Sequence, residues 1–337
     1  MAQTTAEPNA PQSLASAADP LRNVKKQRSL WGDAWRQFRR HKPAMVGLSI
    51  LIFFVLLCYV GIYIWTLPHN SPYVYESNVA IGGTSTYMDL TTFEDKTQFH
   101  PLGTDEMGQD MLARIIFGGR ISLSVGIMAA LISIAFGTAI GAAAGFYGGF
   151  VDSLLMRITD LFISLPTLPL LLLITFLFKN SVNSWADDVF GSPYVGTFLL
   201  IVGVISMLAW MPTARLVRAS FMSTKEKEFV EAAKSIGSNE LSLIVKQILP
   251  NVLSPIIVAA TLQVGSSIIT ESSLSFLGLG FPYDVPTWGA MLFNAKDQMQ
   301  FNPKLALLPG TMIFLTVLAI NFIGDGLRDA LDPRKTH

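Results

Sequence analysis

The chain has 337 residues, 51% hydrophobic and only 14% charged, with a mean hydropathy of +0.45 and 24 basic residues balanced by 24 acidic ones. Soluble domains carry roughly 25% charged residues, so this composition excludes an ordinary soluble globule and points to lipid. A single cysteine, Cys58, rules out a disulfide framework and a cysteine-based zinc site, and the four histidines (His41, His69, His100, His337) show no HExxH spacing.

The first twenty residues are dominated by Ala, Pro, Ser, Thr and Gln and contain no apolar signal-peptide core. A disordered tail is expected over 1–20. A basic segment then leads into the first span, and the two together make a unit over 21–67. The span itself is expected over 44–67, with Trp65 as an interfacial anchor at its far end.

Residues 68–118 form a long segment between the first two spans. Its early part alternates aromatic and small polar residues but yields no assignable element. Its later part reads HPLGTDEMGQDMLARIIFGGR. Thr104 suits a helix N-cap, Asp105 and Glu106 suit the first turn, and Arg114 suits the last. Met107, Met111, Leu112 and Ile115 recur at helical spacing, and Gly118 and Gly119 are expected to break this helix. Two roles stay open for it, an interfacial helix or a substrate-gating element.

The second span is expected over 121–147. It contains Gly137, Gly141 and Gly145, a GxxxGxxxG stripe that admits another helix closely, within the chain or from a partner. Further spans are expected over 154–178 (with Pro166 and Pro169 inside), 195–211, 252–269 and 305–323, which makes six. If the basic N-terminal segment is cytoplasmic, 18 of the 24 Lys and Arg residues share its side. That positive-inside bias puts both termini in the cytoplasm. Within the spans, Arg157 and Asp160 read as an i, i+3 pair. Glu271, with Ser272 and Ser275, reads either as part of a translocation path or as a structural hydrogen-bonding group. Met207, Trp210 and Met211 read as helix packing.

On the cytoplasmic side lies EFVEAAKSIGSNELSLIVKQILPN, residues 228–251. Ser223 and Glu226 have capping-box spacing. Phe229, Ala232, Ala233 and Ile236 form an apolar stripe at helical period. Gly237 occupies the position of a left-handed C′ residue. Ser238 then caps a second helix with Leu241, Ile244, Val245 and Ile248 on its apolar face, and Pro250 closes it. On periodicity alone this is an amphipathic connector along the headgroups.

The order of residues says more. Glu231-Ala232-Ala233, Gly237 and Ile248-Leu249-Pro250 resemble the EAA loop of ATP-binding cassette (ABC) importer permeases. The stretches His100–Gly126, ESSLSFLGLGFPYDVPTWGAML from Glu271 and DGLRDALDPR from Asp325 resemble permeases for dipeptides, oligopeptides and nickel. SLWGDAWRQFRRHKPAMVGLSILI from Ser29 resembles the N-terminal part of their second, C-type permease subunit.

The resemblance implies an all-α integral membrane protein of the type I ABC importer permease fold. It would have six transmembrane helices, an extracytoplasmic segment between helices 1 and 2, and a core over 119–326. A coupling loop would lie at 221–250 and a cytoplasmic tail at 327–337. It also implies that Glu228, Glu231, Ala232, Ala233, Gly237, Leu249 and Pro250 make an ATPase-coupling loop, with Glu231, Ala232, Ala233 and Gly237 as its docking core. The implied partners are a second homologous permease subunit, two ABC ATPase subunits, an extracytoplasmic substrate-binding protein and membrane lipid, with no nucleic acid and no cofactor. The sequence has no GxxxxGK[ST] loop, so the motor would be a separate chain, and no Ser/His/Asp or Cys/His constellation presents itself. The alternatives are an ion-gradient-driven secondary transporter, which would call for inverted repeats and midplane carboxylates, and a six-span channel, which would call for a filter.

Overall fold

The computed structural model describes residues 30–70, 76–88 and 94–331. The expected tail over 1–20 and the last six residues of 327–337 lie outside them. Among the described residues thirteen α-helices alternate along the chain with one β-hairpin. Five helices are long and apolar enough to cross a membrane, or six spans if one bent helix pair is counted as a single crossing.

Helix α1 (Leu30–Arg40) turns at His41 into α2 (Lys42–Tyr59), the first span. His41 caps it by accepting from the Ala44 amide at 3.2 Å, and Pro43 sits in the first turn where its missing N–H costs nothing. Short α3 (Gly61–Ile64) follows. Strands β1 (Gly83–Met88) and β2 (Asp95–His100) then pair antiparallel, Gly83 opposite His100. Among the described residues this hairpin is the one sheet, a departure from the all-α expectation.

The central element is α4 (Met111–Tyr147), 37 residues long, or about 55 Å at 1.5 Å per residue. It starts at Asp110, whose Oδ1 accepts from the Ala113 amide at 2.7 Å, and not at Thr104 as the sequence suggested. Thr104 instead bridges to Asp110 in extended backbone, and its hydroxyl ties down Val79 and Glu76. Gly118 and Gly119 do not break the helix, because both are needed for close packing. A Cβ on Gly118 would run into the Pro286 carbonyl, and one on Gly119 would come within 2.6 Å of the Trp288 ring. Arg114, expected near a helix end, lies buried in the second turn of α4 with its guanidinium 4.4 Å from the Tyr283 ring centroid.

The third expected span divides. Helix α5 (Gly149–Ser164) ends at Leu165 in extended backbone, as a residue before proline is disposed to do. Helix α6 (Thr167–Phe190) then forms the crossing and packs antiparallel on α7 (Pro193–Ala209). At Trp210 the chain bends by 43° into α8 (Met211–Lys225), so helix, as a broken span or a re-entrant pair, continues past the expected end of the fourth span. Helices α9 (Glu228–Ser235) and α10 (Glu240–Ser242) lead into α11 (Leu253–Phe276). Helix α12 (Trp288–Ala295) and α13 (Lys304–Leu331) complete the chain.

The glycine stripe faces within the chain. A Cβ on Gly137 would meet the Trp210 carbonyl at 2.5 Å, one on Gly141 would strike the Ala214 carbonyl, and one on Gly145 would meet Phe221 Cβ at 2.6 Å. The stripe is the seat of α8, which resolves the intrachain reading over the intersubunit one. The Lys225 ammonium donates to the Phe146 carbonyl at 3.1 Å, so α8 ends beside the end of α4. Helix α1, the start of α2 and the end of α13 lie at this same end of the bundle, the α9 end. The hairpin and α12 lie at the other.

Candidate coupling surface and a buried carboxylate

The link from α8 to α9 is tight. Helix α8 runs through Ser223 to Lys225, so Ser223 and Glu226 form no capping box. Helix α9 begins at Glu228 behind Lys227, which offers no side-chain cap. Its dipole is complemented instead by Glu228 and Glu231 in the first turn and Lys234 in the last.

The face that α9 buries differs from the periodic expectation. Val230 and Ala233 are 5% and 7% exposed and pack with Phe221, Leu243, Ile248 and Val252 at the feet of α4, α8 and α11. Phe229, Ala232 and Ile236 point outward, and Ile236 is 85% exposed. Leu241 and Val245 are exposed too. The four large members of this ridge are apolar, and it is flanked by the exposed Glu228, Glu231, Lys234 and Lys246.

Gly237 adopts φ +85°, with its amide donating to Lys234 O at 3.0 Å and that of Ser238 to Ala233 O at 3.1 Å. Those two bonds make a Schellman ending, which needs a left-handed residue at this position. The next cap is Asn239, not Ser238, with its side chain accepting from the Ser242 amide at 2.8 Å.

Residues Leu243–Ile248 then form a π-helical turn, followed by a 3-10 turn at Leu249–Val252. Pro250 has no N–H to give to the preceding turn, and the Leu249 amide reaches back to Ile244 O, five residues away. Wider winding puts Leu243 and Ile248 on one buried face, where a 3.6-residue period had selected Leu241, Ile244, Val245 and Ile248. Of the coupling-loop residues, Ala233 is buried, Leu249 half-buried, and Glu228, Glu231, Ala232, Gly237 and Pro250 are exposed. They share one end of the molecule.

Glu271 lies near the opposite end, wholly buried between α4, α11 and α12. Its carboxylate accepts from Ser275 Oγ at 2.8 Å, Ser122 Oγ at 3.1 Å and Ser272 Oγ at 3.4 Å. Ser122 Oγ in turn accepts from the Trp288 amide at 3.3 Å, and Thr287, the N-cap of α12, donates to Ser275 Oγ at 3.4 Å. Glu271, Ser272 and Ser275 are therefore brought together in a buried joint, 6% exposed or less. The structural alternative is the one that this geometry supports. Asp160 pairs with Arg215 of α8, not with Arg157, and Asp152 takes the Arg218 guanidinium in a two-pronged bond, Nη2 to Oδ2 at 2.6 Å.

One constellation went unseen in the sequence. Ser85 Oγ is 2.8 Å from His100 Nε2, and His100 Nδ1 is 2.7 Å from Asp110 Oδ2. All three are 2% exposed or less, so no substrate reaches Ser85. Asp110 is also engaged as the cap of α4 and by Trp65 Nε1 at 3.0 Å. The relay fastens the hairpin to the start of α4. Register alone hid it, since Ser85 and His100 are brought together only by strand pairing.

Comparison with known proteins identifies the family of the chain. Residues 137–337 match the family described as binding-protein-dependent transport system inner membrane component, and residues 29–81 match the N-terminal TM domain of oligopeptide transport permease C. The oligopeptide transport system permease protein OppC of Haemophilus influenzae is 39% identical over 91% of this chain and 89% of its own length. OppC of Escherichia coli K12 is 37% identical over 91% and 92%. The glutathione transport system permease protein GsiD of Pectobacterium atrosepticum is 35% identical over 94% and 95%. Among solved structures, a chain of the inward-facing MetNI methionine ABC transporter covers 66% of this chain and 98% of its own at 14% identity, with a TM-score of 0.49. The family match and the curated relatives carry the assignment: this chain is a multi-pass inner-membrane transport subunit, not an enzyme, and belongs to the family of binding-protein-dependent transport system inner membrane components.

Proposed function

We propose that the chain is one permease subunit of a peptide-type ABC importer, pairing with a second homologous permease. Residues 228–250 would receive the motion of separate ATPase subunits in the cytoplasm. The observation that carries the reading is the outward ridge of Phe229, Ile236, Leu241 and Val245, held on a foot that Val230 and Ala233 lock to α4, α8 and α11. A ridge that apolar is costly in water and fits a groove on another protein. The charge split supports a cytoplasmic position for it, and the common end of α1, α9 and the end of α13 is consistent with both termini on that side. An extracytoplasmic binding protein would deliver cargo at the hairpin end. The names of the relatives make oligopeptides the first cargo to test and glutathione the second.

Glu231, Ala232 and Gly237 form the exposed core of the proposed contact, Ala233 seats it from beneath, and Glu228, Leu249 and Pro250 lie around it. Ile236→Glu should abolish uptake of labelled peptides and lower ATPase co-purification at least ~10-fold, with membrane insertion unchanged, because a charge would be buried in the apolar contact. Normal uptake and co-purification in that variant would remove the docking role. For Glu271, Ser272 and Ser275, burial and satisfied hydrogen bonds support a brace that holds α12 against α4 and α11.

A further inference from the structure

Helix α1 presents a face that the transport reading does not use. One side of it is fixed: Phe38 packs against Gly326 and Ala44, and Gln37 Nε2 donates to the Asp329 carbonyl at 2.8 Å. That leaves Gly32, Trp35, Arg36, Arg39 and Arg40 on the outer side, all exposed. At 100° per residue these five positions fall within one face, with Gly32 near its centre. Because Gly32 has no side chain, it opens a notch between the Trp35 indole and the three guanidinium groups.

The depth of this notch follows from the next element. Two residues after Arg40 the first span begins at Lys42, so the arginines sit where the hydrocarbon gives way to headgroups. The Trp35 indole, 53% exposed and stacked on Phe38 at 5.8 Å, is an interfacial side chain held in place. Guanidinium groups match phosphate oxygens in a two-pronged geometry. A basic amphipathic helix beside a span attracts anionic headgroups over zwitterionic ones.

We propose that the Gly32–Arg40 face of α1 is a binding site for the headgroup of an anionic phospholipid, with Arg39 and Arg40 holding the phosphate and Trp35 lying along the glycerol region. The site anchors α1 and, through Phe38 and Gln37, the end of α13.

The test is native mass spectrometry of the full-length chain, purified with whatever partners accompany it, titrated with phosphatidylglycerol and with phosphatidylcholine of the same acyl chains. The expected result is preferential binding of phosphatidylglycerol. Arg39→Gln/Arg40→Gln should weaken it roughly 25-fold, about fivefold for each charge near the surface, with phosphatidylcholine unchanged. Gly32→Leu keeps every charge and fills the notch, and should also weaken phosphatidylglycerol several-fold. Arg157→Gln, which removes a charge elsewhere, should not. Equal binding of the two lipids, full retention in the arginine or glycine variants, or displacement by millimolar inorganic phosphate would overturn the proposal. So would cross-linking of Arg39→Cys to a partner subunit in place of lipid.

Discussion

Gly237 and Glu271 show how single side chains set the two ends of the molecule. At Gly237 there is space for a Cβ, since nothing lies within 4 Å of one, but φ is +85°. Gly237→Ala should therefore cost about 1–2 kcal/mol through backbone conformation alone, and Gly237→Asn less, because asparagine tolerates that region. The readout is transport and ATPase co-purification, with Asn expected between wild type and Ala. At Glu271 three hydroxyls converge on one carboxylate. Glu271→Ala should leave them unsatisfied and lower the melting temperature more than Glu271→Gln, which keeps one acceptor oxygen; each orphaned group costs about 1–3 kcal/mol. Equal melting temperatures would show that the joint does not depend on these bonds. The left-handed glycine was legible from the sequence, because an amphipathic run that stops at a glycine has few other endings. The Glu271 partners were half legible: Ser272 and Ser275 are neighbours in sequence, whereas Ser122 lies 149 residues away.

The elements owe their contacts to small residues and to charges at their rims. Gly141→Ala should push α4 and α8 apart and destabilise the solubilised protein by about 1–3 kcal/mol. Gly203→Ala in α7, where a Cβ would meet nothing within 4 Å, should have little effect in the same thermal assay. The α5–α8 contact carries a pH dependence. The Arg218 guanidinium bonded to Asp152 holds that carboxyl below its ordinary value, although some burial opposes the shift. A depressed folded-state value means that the stabilisation is complete above the unfolded aspartate value of about 3.9 and is lost as pH falls through the depressed one. The gap in melting temperature between wild type and Asp152→Asn should thus be constant near neutrality and close in acid. A gap that persists unchanged at pH 2 would assign it to packing. Long apolar helices were legible because lipid demands about 20 such residues. The faces of α9 and of the π turn were not. A 3.6-residue period fails where Pro250 widens the winding, and apolar residues that point outward are indistinguishable in sequence from those that point inward.

At the scale of the whole molecule, the proposed reading gives a partner to the exposed α9 ridge, at one end of spans of lipid length. Co-expression with two ATPase subunits and a second permease should raise the yield of intact protein several-fold over the chain alone, measured by fluorescence-detected size exclusion; equal yields would argue that it is stable unaccompanied. The family was readable in the sequence because motifs at both ends of the core agree in order and side. What sequence left out was which helix meets which, and α4 supplies that. It runs unbroken from the Glu271 joint to the seat of α8, gripped near both ends and by different means. Such a rod acts as a lever. Ser122, in the Glu271 joint, and Gly141, in the seat of α8, stand about 28 Å apart along it, so a tilt of about 5° about one grip displaces the other by about 2.5 Å, with no relay of local rearrangements between.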